Sequence, residues 1–226
     1  MPMTVRTQSL AAPDGTTDPV VFLVPHADDE TLTTGPAIER AVDEGHHVVV
    51  VLVTDGRASG VRASTGLTVG EFSLARDREF LAACAALGVG EEQVFLAHCP
   101  DGGLTPALAG AVVATWAGIF PAGRFATTSW TDGHRDHAAL GTALRELVPA
   151  PAGGVRFYVK PDEWSLDRGR PPLTVEHATG ARYLLACDEY ARVDPTAGRY
   201  GIGQASVPEV FALRRAGDES RWHGPA

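Results

Sequence analysis

Residues 20–30 read VVFLVPHADDE. Five apolar residues run without interruption into Pro25, and then come a histidine and three consecutive acids. An unbroken apolar run, rich in β-branched residues and closed by proline, predicts a strand buried on both faces, the kind found at the centre of a parallel sheet. The acids that follow it repel one another unless something holds them. The strand is placed at 20–25, and its acidic end is where the reading of function begins.

Working outward, HVVVVLVT at 47–54 predicts a second strand of the same kind, with further strands at 93–97, 124–128 and 154–159. Helical patterns fall between them at 30–44, 70–88, 105–119 and 136–148. The segment VGEFSLARDREFLAACAALGVG places Phe72, Ala75, Phe80, Ala83, Cys84 and Leu87 on one stripe and stops at Gly88. This alternation predicts an α/β fold with a Rossmann-like, open, mostly parallel sheet flanked by helices in a single domain. The domain is expected to span 1–226, with 1–18 and 216–226 as frayed termini. KPDEWSLDRGRPPL at 160–173 reads as a surface excursion, 178–193 as a helix and EVFALRRA at 209–216 as a late strand. In the commonest order the chain builds outward from strand 1 and returns to add strand 4 on the other side, so the ends of those two strands flank the crevice where such sheets bind ligands.

Composition narrows the partners. A net charge of -9 argues against nucleic acid or an anionic membrane surface and favours a small, neutral or locally basic substrate. No run reaches the ~18 apolar residues of a spanning helix, and the N-terminus lacks the pattern of a signal peptide, so membrane insertion is not expected. Cys84, Cys99 and Cys187 form neither a disulfide framework nor a thiolate metal site, which makes a reducing cytoplasm the expected compartment. Eighteen arginines beside one lysine, with abundant Ala, Gly and Val, suggest a GC-rich bacterial source.

The crevice receives His26, Asp28, Asp29 and Glu30 from strand 1, and Asp132, His134, Asp136 and His137 from SWTDGHRDH after strand 4. Alone, DDE at a helix start reads as capping, and HxxH as two ordinary histidines. Together they gather imidazole nitrogens and carboxylate oxygens at one place, a donor set suited to zinc or a similar divalent ion. Asp136, between the two histidines, is positioned to orient an imidazole. His46, His47, His98, His177 and His223 have no such spacing and read as structural or surface residues.

PHADDE and GHRDH resemble the HPDDE and HPDH motifs of the PIG-L/LmbE-like family of zinc-dependent N-acetylglucosaminyl deacetylases. TDG after strand 2, RDRE…ALGV in the following helix, PDGGL after strand 3 and EVF near the end are similar to further family elements. The resemblance implies that His26, Asp29 and His137 hold Zn2+, or another divalent metal in its place, with one position open for water. It implies Asp28 as general base, His134 as stabiliser of the oxyanion or donor to the leaving amine, and Arg76 and Asp101 as sugar contacts. Read from its own surroundings, Arg76 is equally a salt-bridged helix residue beside Asp77 and Glu79. Arg57 and Arg62, in the loop after strand 2, are placed to meet an anionic group or water.

Three positions depart from the family pattern. Ala27 and Arg135 replace its prolines, and Asp132 stands where some sugar deacetylases of the family carry a tyrosine; as an anion it cannot assist an oxyanion, and it is set beside the ligands instead. The expected activity is removal of an N-acetyl group from an amino-sugar conjugate, a small-molecule partner, with a homo-oligomer left open. The same metal and fold acting on a non-sugar metabolite is the alternative. A nucleotide-binding module is disfavoured, because three acids stand where a glycine-rich phosphate turn would be needed.

Overall fold

The computed structural model describes residues 19–148 and 154–225. Its centre is the pair predicted first. Strand β1 (Val20–Val24) lies parallel to β2 (Val48–Thr54), with Val20 opposite Val48 and Val24 opposite Leu52. Phe22, Val24, Val48, Val50 and Leu52 face one core, while Val21, Leu23, Val49, Val51 and Val53 face another. Both faces are therefore covered, and the apolar runs have that cause.

Helix α1 (Asp29–Leu32) follows β1, and after a break α2 (Gly35–Asp43) resumes. The expected single helix over 30–44 is interrupted for a local reason: Pro36 has no amide hydrogen to donate, and the Thr34 hydroxyl instead donates to the Glu30 carbonyl at 3.2 Å. Helix α3 (Arg62–Thr65) and helix α4 (Val69–Ala86) follow β2. Thr68 and Glu71 form a capping box at the start of α4, and Gly88, at φ +92°, turns the chain out of it. The six stripe residues of α4 are fully buried. Beyond it come β3 (Val94–Cys99), α5 (Pro106–Ile119), β4 (Arg124–Thr128), α6 (Arg135–Leu147) and β5 (Val155–Val159). The parallel strands stand in the order β3-β2-β1-β4-β5, which puts the switch point between β1 and β4 as expected. Helices α5 and α6 cover one face, and α2 and α4 the other.

The remaining chain corrects the sequence reading twice. After edge strand β6 (Thr174–His177), helix α7 (Arg182–Ala191) and the small hairpin of β7 (Val193–Asp194) and β8 (Arg199–Tyr200) come α8 (Ile202–Ser206) and α9 (Pro208–Ala216). The segment expected as a strand at 209–216 is thus a helix. Pro208 opens it, Arg214 and Arg215 lie in its last turn where cations suit the dipole, and the buried pair Phe211 and Arg214 has helical spacing. Residues 216–226 are not frayed through 219–223, which form β9 (Glu219–His223), antiparallel to both β5 and β6. Its buried positions are polar and are satisfied by hydrogen bonds: Ser220 Oγ donates to Thr33 O at 3.1 Å, and His223 Nε2 lies 2.8 Å from Ser129 Oγ. The expected frayed end at 1–18 lies outside the described residues. No helix among the described residues is long and apolar enough to cross a membrane.

One glycine fixes α6 against the sheet. A Cβ on Gly141 would lie 2.5 Å from Trp130 N and 2.6 Å from Thr128 O, both backbone atoms that cannot swing aside. Gly141→Ala is expected to cost about 1–3 kcal/mol in urea unfolding, and to weaken metal binding because α6 carries His137.

Candidate metal centre

The crevice is built from the loops at the carboxyl ends of β1, β3, β4 and β5. The β1 loop turns so sharply that Asp28 takes φ +119°, a conformation rare for any residue but glycine. Such backbone strain persists where surrounding contacts enforce it. Here they do: the Asp28 N–H donates to Glu30 Oε2 at 3.0 Å, and the His26 N–H donates to Asp29 Oδ2 at 3.0 Å. Glu30, fully buried, is pushed up to about 8 by burial, only partly offset by its hydrogen bonds.

Asp29 Oδ2 is the meeting point. It lies 3.1 Å from His137 Nε2 and 3.5 Å from His26 Nδ1, and these two nitrogens are 3.0 Å apart. The outer nitrogen of each ring faces carboxylates. His26 Nε2 is 3.2 Å from Asp101 Oδ1 and 3.3 Å from Asp136 Oδ2, and His137 Nδ1 is 2.9 Å from Asp132 Oδ2. With each outer nitrogen donating to a carboxylate, the two inner nitrogens and Asp29 Oδ2 converge on one point, which a proton on the His137 ring occupies in the metal-free protein and a metal ion can take in its place. Ligands about 2.0–2.1 Å from a tetrahedral ion stand about 3.3 Å apart, which the observed separations bracket. The residues present therefore fit a divalent metal.

The surrounding carboxylates are themselves held. Asp136, fully buried, accepts the Gly102 N–H at 2.7 Å and the Leu104 N–H at 3.1 Å, so the β3 loop is tied to α6. Burial would raise its pKa, but the His26 contact and the two amides bring it down to about 2. Asp132 accepts the His134 N–H at 2.7 Å through Oδ1 while Oδ2 holds His137. His134 caps α6 on the exposed rim. Its ring is 4.6 Å from that of His26 at 80°, and its Nδ1 accepts the Asp136 N–H at 3.3 Å, which leaves the proton on Nε2. One ligand atom from each of His26, His134 and His137 falls within 4.8 Å of the others. Burial and the neighbouring imidazoles lower the pKa of His134, so it is neutral at pH 7 and a hydrogen-bond donor.

Asp28 sits beside the ligands without pointing its backbone strain at them. Its Oδ2 is 2.9 Å from Arg76 Nη2, and Arg76 Nη1 is 2.9 Å from Glu79 Oε2. Burial lifts the Asp28 pKa, the Arg76 charge pulls it back and Asp29 pushes it up again, leaving it at about 6. Arg76 also donates to the Ala27 carbonyl and is 4% exposed. Expected at the sugar, it lies instead inside the wall, behind Asp28. Asp101 is likewise engaged, accepting the Ala58 N–H at 2.8 Å while it faces His26. Arg57 pairs with Asp55.

Two residues have a larger part here than the sequence reading gave them. Glu79, named only as a neighbour of Arg76, accepts the Ile202 and Gly203 amides at 2.7 and 3.0 Å, linking Arg76 to the start of α8 across more than 120 residues. Lys160 Nζ is 3.8 Å from Asp132 Oδ1. Its place, directly after β5 and beside β4 at the carboxyl edge, is a signal that was available.

Two measurements follow from this geometry. Removing the carboxylate that orients His137, as Asp132→Asn, should weaken zinc affinity roughly 10–100-fold in competition titrations. Burial works against charge on His137, but Asp29 and Asp132 outweigh it and raise its pKa to about 9 in the metal-free protein. Below that pH a metal must displace a proton, so zinc affinity should fall as pH drops from 9 to 6, by up to about tenfold per unit for one proton. An affinity indifferent to pH over this range would contradict the arrangement.

The fold has counterparts among known proteins. The A40926 pseudoaglycone deacetylase Dbv21 superposes with a TM-score of 0.66 at 21% identity, over 92% of this chain and 98% of its own. The N,N'-diacetylchitobiose deacetylase from Pyrococcus horikoshii gives 0.66 at 15%, over 92% and 84%. The 4-carboxy-2-hydroxymuconate hydratase GalB from Pseudomonas putida gives 0.64 at 18%, over 92% and 95%. At these identities the likeness is one of fold. No curated protein sequence matches the chain. The family model for GlcNAc-PI de-N-acetylases, PIG-L, matches residues 21–148, more than half of the chain and the stretch that carries both His/Asp loops. The chain belongs to the PIG-L family.

Proposed function

We propose that this protein is a zinc-dependent N-deacetylase that hydrolyses the acetamide of an amino sugar or its conjugate. The observation that carries the reading is the inward convergence of His26 Nδ1, Asp29 Oδ2 and His137 Nε2, with Asp28 adjacent and unligated. His26, Asp29 and His137 would hold the metal, zinc or another divalent ion, which when bound acidifies water and polarises the amide carbonyl. Asp28 accepts the proton of the attacking water; its carboxylate is basic because it is buried, yet ionised at pH 7 because Arg76 stands 2.9 Å away. The water oxygen bonds to the carbonyl carbon, the C–N bond breaks, and the proton held on Asp28 passes to the departing amine. His134, neutral and protonated on Nε2, donates a hydrogen bond to the acyl oxygen as charge builds there. Its low pKa favours that role over protonating the amine. Arg76, Asp101, Asp132 and Asp136 act through the groups they hold: the first fixes Asp28, the others fix the two imidazoles.

Asp132 supports a second reading, in which the same metal acts on a non-sugar metabolite, because it stands where some sugar deacetylases of the family carry a tyrosine. Metal-loaded protein that releases no amine from any N-acetyl sugar would select it.

Asp28→Asn is expected to reduce amine release from an N-acetylglucosaminide roughly 10²–10⁴-fold with zinc stoichiometry unchanged. Unaltered release would remove Asp28 as the base. For Arg76→Lys, which keeps the charge and loses the fork, kcat should fall with KM nearly unchanged. A rise in KM alone would return Arg76 to the sugar.

A further inference from the structure

Lys160 is the only lysine in the chain, and the reactions described so far leave it without a task. It follows β5 directly, at the carboxyl edge of the sheet next to the β4 loop. Its side chain is 23% exposed, and its ammonium stands 3.8 Å from Asp132 Oδ1. That distance is an ion pair and not a hydrogen bond. Lys160 Nζ makes no hydrogen bond among the described residues, although an ammonium carries three donors. The same Asp132 oxygen receives the His134 N–H, so the ammonium and the rim histidine share one edge of the site. The Pro161–Glu163 turn holds the lysine in place: Glu163 Oε1 accepts the Gly133 N–H at 3.3 Å and the Arg168 guanidinium at 3.0 Å, which pins the segment after β5 onto the β4 loop.

The ammonium stands half-buried at the rim of the crevice, where its donors meet solvent and are free to be exchanged for a ligand. Asp132 does not use them up, because both its oxygens already accept shorter hydrogen bonds, from His134 N and from His137 Nδ1. Arg76 is turned inward to Asp28 and Glu79, and Arg57 is paired with Asp55, so neither of these cations is directed at a substrate.

We propose that Lys160 touches the substrate, its ammonium donating to the acyl oxygen on the same side as His134 and serving as a second donor to the charge that develops there. Asp132 then has two functions, orienting His137 and holding the lysine near the reacting oxygen. Burial disfavours the charged lysine, but Asp132, Asp162 and Asp29 outweigh it and raise its pKa, so the ammonium persists at neutral pH. The released acetate would meet the same donor as the acyl oxygen from which it came.

This assignment rests on the deacetylase reading, and the test separates the two. Wild type, Lys160→Met and Lys160→Arg are loaded with zinc and compared for metal affinity, for acetate binding by calorimetry, and for steady-state amine release from N-acetylglucosaminides. For Lys160→Met, kcat should fall roughly 10²–10³-fold, acetate affinity should fall at least about tenfold, and zinc affinity should stay at the wild-type value. Lys160→Arg should recover part of both losses. Because the lysine is unique, its modification by trinitrobenzenesulfonate, mapped by peptide mass, should slow when acetate is bound. Unchanged turnover in Lys160→Met, acetate binding that is absent or equal in the two proteins, or a loss that tracks zinc affinity would overturn the assignment, the last by reducing Lys160 to a support for Asp132 and His137. If wild type binds zinc but releases no amine from any N-acetyl sugar, the deacetylase reading fails, and the acetate arm still decides Lys160: weaker binding in Lys160→Met sustains it, equal binding ends it.

Discussion

His26 Nδ1, His137 Nε2 and Asp29 Oδ2 meet within 3.5 Å, a cluster held together by positive charge between them, a proton on the His137 ring or a metal ion in its place. Much of the architecture at this edge of the sheet exists to hold them there. Asp136 and Asp101 take the outer nitrogen of His26, Asp132 takes that of His137, and the backbone amide of His26 takes Asp29. Each contact removes a rotation by which a ligand could escape its neighbours. The strained φ of Asp28 belongs to the same arrangement, because the turn that delivers His26 and Asp29 to one point leaves Asp28 no ordinary backbone conformation.

The proposed division of acids between metal and catalysis also has a physical basis. Asp29 is held well below the usual carboxylate range, since the two imidazoles outweigh its burial, whereas Asp28 next to it is lifted to about 6. Adjacent carboxylates in one sequence therefore differ in basicity because one faces cationic or metal-binding partners and the other faces a single arginine in a dry pocket. The buried Arg76–Glu79 pair, anchored on the start of α8, keeps that arginine from relaxing toward solvent. Breaking such a buried pair on one side leaves an uncompensated charge, which ties the start of α8 to the surroundings of Asp28.

How far this was legible in the sequence depends on the range over which each feature is encoded. The strands β1 and β2 announce themselves, because a strand covered on both faces must be apolar at every position. The two His/Asp loops were legible through local spacing and the switch-point rule, without knowledge of any contact. The break between α1 and α2 was written in Gly35-Pro36 and was missed by reading hydrophobic period alone. Strand β9 could not be found that way, since ESRWH offers no apolar alternation and its burial is satisfied by Thr33 and Ser129, residues 187 and 94 positions away. Glu79 shows the same difficulty in part: its pairing with Arg76 is local, but its contacts with the Ile202 and Gly203 amides are made across the fold and leave no mark on neighbouring residues. Arg76 is buried against Asp28 and Glu79, the salt-bridged setting that its own sequence neighbours offered beside the sugar contact implied by the resemblance.

The insertion of β9 between β5 and β6 bears on how the molecule is assembled in time. Residues 219–223 bond to Thr33, beside the first His/Asp loop, and to Ser129, at the entry to the second. During synthesis both loops emerge long before the strand that braces them, so the nascent sheet carries an unpaired edge at β5 until the last segment arrives. An exposed edge strand is a template for pairing with another chain. Emergence of the two His/Asp loops and protection of that edge by the late strand are therefore events of different age in the life of each molecule.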